Sequence, residues 1–119
     1  MIIYRKKLKW QGKLWTVRVS TYPNKRLCIY LINNTISKQI TIDLADAYLE
    51  QRHIFLDPQT KDNGLLRALK KSRIIKTITG LTNYNYVLIP VALINMGILK
   101  KYDNKGIVEY LNIVGRDEH

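Results

Sequence analysis

From Ile3 to Trp10 the chain alternates: Tyr4, Leu8 and Trp10 share one parity with Lys6, while Arg5, Lys7 and Lys9 share the other. Successive strand side chains point to opposite faces, so the stretch is predicted to be a strand with one apolar and one basic face. Gln11-Gly12 is a two-residue turn signal, with glycine supplying positive φ. Beyond it Trp15, Val17 and Val19 form an apolar face against Thr16, Arg18 and Ser20. A hairpin follows, and its loop length sets the register: Trp10 opposite Lys13, Leu8 opposite Trp15, Lys7 opposite Thr16 and Arg5 opposite Arg18.

Tyr22-Pro23-Asn24-Lys25 is a second turn signal. Leu27, Ile29 and Leu31 then alternate with Cys28, Tyr30 and Ile32, a strand apolar on both faces. After Asn33-Asn34, the shared parity of Ile36, Ile40, Ile42 and Leu44 predicts a fourth strand across Lys38 to Leu44. Ala45 to Arg52 is ambiguous, and "HIFLD" reads as a short buried strand ending at Asp57-Pro58.

Leu65, Leu66 and Leu69 lie on one helical stripe, with Asp62 or Asn63 placed to cap the helix start. Tyr84 to Ile89 alternates as a strand running into Pro90 and resuming to Ile94, with proline arguing for an edge or a bend. "NMGILKKYD" is predicted as a short helix, whereas "GIVEYLNIV" fits strand and helix equally. The expected architecture is α+β: an antiparallel β-meander of four or more strands, one main helix around Leu65 to Arg73, and one or two short helices. At 119 residues the chain is expected to form a single domain opening on the basic hairpin.

Charge adds direction to this picture. Lys and Arg number 20 against nine Asp and Glu, a formal charge of +11, and no acidic residue precedes Asp43. Such an excess favours polyanionic partners: nucleic acid, an acidic protein face or an anionic membrane surface. Arg5 opposite Arg18 places like charges across a ladder, a local conflict that an anion over the pair would relieve.

The candidate binding residues are Arg5, Lys7, Lys9, Arg18, Lys25 and Arg26, with Tyr22 and Tyr30 as aromatic neighbours suited to stacking on bases, and Trp10 as a third. A second basic block, Lys61 to Lys76, contributes Lys70, Lys71 and Arg73; the competing reading of that block is a solvated helix face. Whether the two segments meet is not legible in the sequence.

Signals for catalysis are sparse. Cys28 sits in an apolar strand pattern, and neither His53 nor His119 belongs to a recognisable Cys/His motif. Asp43, Asp46, Glu50, Asp57 and Asp62 lack calcium-loop spacing, and the glycines are scattered rather than gathered in a phosphate loop. The expectation is a non-enzymatic protein with no metal and no cofactor. One cysteine allows no intramolecular disulfide, and no apolar run of spanning length occurs, so a cytoplasmic protein without a membrane span is expected.

The block from Thr41 to Leu99, with landmarks Phe55-Leu56-Asp57, Leu65 to Lys71, Thr79-Gly80, Tyr84 to Pro90 and Asn95 to Leu99, resembles a family of uncharacterised small proteins from mobile elements and phages of Gram-positive bacteria. The resemblance implies a context in which small accessory proteins bind host machinery, including anti-CRISPR inhibitors of nucleic-acid-guided nucleases. It implies no catalytic residues. The leading expectation is therefore an inhibitor that occupies a nucleic-acid-binding or anionic surface of a host defence nuclease. The alternative is an accessory protein that binds single-stranded or duplex RNA or DNA directly, as monomer or homodimer.

Overall fold

The computed structural model describes residues 6–115; Arg5 and His119 lie outside the described residues. Strands β1 (Lys7–Trp10) and β2 (Lys13–Thr21) form the predicted hairpin, with Leu8 opposite Trp15 and Lys7 opposite Thr16. Gln11 and Gly12 both have positive φ, 53° and 69°, the backbone that a tight turn between right-twisted strands requires. Strands β3 (Leu27–Asn33) and β4 (Ile36–Gln39) continue the meander, giving the order β1-β2-β3-β4. One face of this sheet buries Leu8, Trp10, Trp15, Val17, Val19, Leu27, Ile29 and Leu31. On its other face Cys28, Tyr30 and Ile32 are half-buried.

The expected strand from Lys38 to Leu44 is divided between two sheets. Strand β5 (Thr41–Ile42) belongs to the second sheet, and Ile40 is the crossing point. The Ile40 N–H donates to the Ile29 carbonyl (3.0 Å), and its own carbonyl accepts from Asp57 N–H (2.9 Å), so one residue bonds to both sheets. Ile40 and Thr41 are consecutive and both 1% exposed. Two buried neighbours break the two-residue period, as happens where a strand turns a corner between sheets.

The second sheet adds β6 (His53–Leu56), followed by helices α1 (Gln59–Asp62) and α2 (Leu65–Lys71), then β7 (Ile75–Tyr84) and β8 (Val87–Ile94), in the order β5-β6-β8-β7. The run from Tyr84 to Ile89 is thus not one strand: Asn85 and Tyr86 (φ 50° and 66°) turn the chain between β7 and β8. β7 itself has no sequence signature because most of its residues are exposed. Pro90 lies inside β8, but β6 pairs with β8 only at Val91, Ala92 and Leu93, so at Pro90 the strand has a partner on one side.

Helix α3 (Met96–Tyr102) is capped by Asn95, whose Oδ1 accepts from Ile98 N–H at 3.1 Å. "GIVEYLNIV" is helical, and α4 (Asn104–Gly115) at 12 residues exceeds the seven of α2, which had been expected to be the main helix. What decides its state is Asp103, 3% exposed: Oδ1 accepts from Gly106 N–H (3.1 Å) and Oδ2 from Val19 N–H (2.9 Å). One carboxylate both caps α4 and ties it to β2. Side chains from both sheets and from α2, α3 and α4 share one hydrophobic core, while Leu44, Phe55 and Ile89 form a smaller cluster.

Candidate functional site

Two tryptophans bring the hairpin to α2. Their rings lie 5.2 Å apart, and Trp15 Nε1 donates to the Trp10 carbonyl at 3.1 Å. Trp10 Nε1 donates in turn to the carbonyl of Asn63, also at 3.1 Å, and Asn63 Oδ1 accepts from Leu65 N–H (3.0 Å) at the start of α2. This relay joins residues 10 and 63 and fixes the helix beside the outer edge of β1.

Between β1 and α2 is an open cleft of about 470 Å³, lined by Lys6, Lys7, Lys9 and Lys71 together with Trp10 and Tyr102. Among the described residues no acid lines it. Lys6 Nζ lies 5.4 Å from the centre of the Tyr102 ring, a cation–π contact that holds one lysine at the cleft wall. Burial pushes the Tyr102 phenol above its ordinary pKa, partly offset by a hydrogen bond with Ser72. Four ammonium groups around one cleft raise its potential, and desolvated walls concentrate that field.

The remaining sequence candidates fall elsewhere. Lys70 and Arg73 are exposed but do not line the cleft. Arg18 is exposed opposite Tyr30, and both line a separate polar hollow of about 240 Å³ with Lys105, Asp103 and Glu109. Lys25 and Arg26 sit at the end of β2 away from the Gln11-Gly12 turn. Arg26 is engaged inside the fold: its two terminal nitrogens donate to the carbonyls of Leu44 (2.8 Å) and Ala47 (2.6 Å), and the guanidinium lies over Phe55. It holds the loop after β5.

The aromatic candidates also have internal roles. Tyr22 OH bonds Thr41 Oγ1 (3.0 Å) and accepts from Gln39 Nε2 (3.1 Å), and burial raises its pKa. Trp10 is 6% exposed, so its ring is not available to stack on a base. Lys6, assigned by parity to the apolar face, is the cleft residue that sequence reasoning missed. Edge strands let side chains of both parities reach around the rim, and an exposed lysine at a strand start is the signal that would have found it.

A further hollow of about 330 Å³ places His53 beside Glu50, Tyr48, Thr79 and Thr82. Asp57 and Asp62 do not line it, and His53 Nδ1 is 2.9 Å from the Gln51 carbonyl. Cys28 is on the outer face of β3, its Sγ 3.4 Å from Gln39 Nε2. Among the described residues no three His, Cys, Asp or Glu side chains are placed to hold a metal ion, and no helix is long and apolar enough to cross a membrane.

Comparison with protein-family models, with curated proteins and with solved structures finds no match. The resemblance to small mobile-element proteins therefore rests on its sequence landmarks alone.

Proposed function

We propose that this chain is a non-enzymatic nucleic-acid-binding protein that grips the phosphate backbone of a duplex through the cleft between β1 and α2. The observation that carries the proposal is the convergence of Lys6, Lys7, Lys9 and Lys71, from two distant segments, on a cleft with no acid in its lining among the described residues. Lysine is a point charge suited to phosphate and without the planar fork that reads base edges, so recognition is sequence-independent. Duplex is favoured over single strand because the cleft's aromatic rings are buried: Tyr102 is 2% and Trp10 6% exposed, which leaves no stacking platform there.

The same charge argues against insertion into a nuclease's own nucleic-acid channel, which is itself positive; any inhibition of such an enzyme would run through its nucleic acid or an acidic face. With four phosphates neutralised, the logarithm of affinity for duplex DNA falls with the logarithm of salt at a slope of about −3.6, roughly a 150-fold loss between 50 and 200 mM. Fluorescence anisotropy with duplex and single-stranded DNA and RNA measures this directly. Lys9→Ala with Lys71→Ala is expected to reduce the slope by about 1.8. Absence of binding at 50 mM salt, or a slope that the double variant leaves unchanged, refutes the proposal and redirects the cations to an acidic protein partner.

A further inference from the structure

Among the described residues the two sheets have four outer strands, and three of them are poor templates for pairing. β1 and β4 are four residues long and carry Lys7, Lys9 and Lys38, while β5 has two residues. β7 differs: it has ten residues, lies at the edge of its sheet, and its only charged side chain is Lys76 near the start. Short or charged edges resist association, whereas a long uncharged edge invites another strand. The irregularities in its pairing with β8 fall before Gly80, so Leu81 to Tyr84 presents a regular edge.

The charge pattern points to the occupant. From Thr77 to Leu99 there is no charged residue, although the chain carries +11 overall. Two copies approaching through the basic hairpin or α2 set like charges against one another; along β7 and the β7–β8 turn they do not. The apolar surface is large enough. Leu81 (54%), Tyr84 (38%), Tyr86 (101%), Val87 (47%) and Leu88 (54%) are exposed. Together they present on the order of 600 Å² per copy, so a pair can bury at most about 1,200 Å², the lower end of stable interfaces. Leu81 and Leu88 lie on the same face of the hairpin as Ala92, a core residue, and continue the core face beyond the core itself. Tyr86, fully exposed at φ 66°, occupies a turn position where glycine is relaxed, a local backbone cost.

We propose that a second copy of this chain docks along β7, the two β7 strands pairing antiparallel about a two-fold axis and joining two four-stranded sheets into one. The expected dissociation constant is of about micromolar order. Sedimentation equilibrium of nuclease-treated protein at high salt removes bridging by nucleic acid, so failure here is distinct from failure of the cleft. Wild type is expected to dimerise. Leu81→Lys with Leu88→Lys is expected to raise the dissociation constant about 100-fold or more with an unchanged far-ultraviolet spectrum.

Single cysteines at Leu81, Thr82, Asn83 and Tyr84, placed in a Cys28→Ser background, read the geometry without depending on that variant's folding. Disulfide cross-linking concentrated at one position supports edge pairing, because only the residue at the two-fold axis faces its own copy. A monomer at every concentration, a dimer indifferent to the lysines, or cross-linking absent or uniform across the four positions overturns the proposal.

Discussion

A methyl group added at Gly106 tests how α4 is seated. An ideal Cβ there lies 2.5 Å from the Val19 carbonyl oxygen, 2.5 Å from Asp103 Oδ2 and 2.9 Å from Asp103 Cγ. Neither neighbour yields easily: one is strand backbone, and the other is a buried carboxylate bonded to Val19 N–H and Gly106 N–H. Helix propensity alone gives alanine an advantage of up to about 1 kcal/mol over glycine. Against it stand overpacking, about 1–3 kcal/mol, and a weakened carboxylate hydrogen bond, about 1.5–3 kcal/mol if lost entirely. Gly106→Ala is therefore expected to destabilise by about 2 kcal/mol. With an unfolding entropy near 0.25 kcal/mol/K for a chain of this length, Tm drops by about 8 °C.

Gly97→Ala supplies the internal control, because its nearest atom is Asn95 Oδ1 at 3.6 Å, an ordinary contact. The same chemical change in α3 is expected to be neutral or to stabilise by up to about 1 kcal/mol. Urea and thermal unfolding followed by circular dichroism measure both. If Gly106→Ala matches or exceeds wild-type stability, α4 does not dock on β2 through Asp103.

Thr41→Val keeps the shape of a residue 1% exposed but removes the oxygen that accepts from Ile29 N–H at 3.1 Å; a loss of about 1–3 kcal/mol in urea unfolding is expected, and a neutral result would separate the sheet crossing from that bond. Tyr86→Gly relieves a left-handed backbone at the β7–β8 turn and should stabilise the monomer by about 1 kcal/mol, measured with dimerisation suppressed by dilution. Burial raises the pKa of Tyr110, with Arg52 opposing. Below a pH of about 10 both folded and unfolded chains hold the phenol proton; above it the unfolded chain releases it first, so stability falls as pH rises. Tyr110→Phe should lose less stability than wild type over that alkaline range, and parallel curves would refute the assignment.

Much of the first sheet was legible in the sequence, for reasons visible in single residues. The alternation through Leu8, Trp10, Trp15 and Val17 separates core from solvent, and Gln11-Gly12 admits one register, which is the register observed. β7 was not legible because strand patterning comes from burial on one face, and its outer half has none to record. "GIVEYLNIV" was ambiguous because a short apolar run satisfies both periods; Asp103, bonded across to Val19, resolves it.

The candidate site divides in the same way. By itself the sequence determined that the front of the chain is basic and that Lys7 and Lys9 face away from the core, since parity and charge are local properties. Only the tertiary structure decided that Lys71 joins them, through the Trp10 to Asn63 hydrogen bond, and that Arg26 is held by the carbonyls of Leu44 and Ala47. The physical reason is range: periodicity acts between near neighbours, while a cleft forms where hydrogen bonds and core packing bring distant segments together.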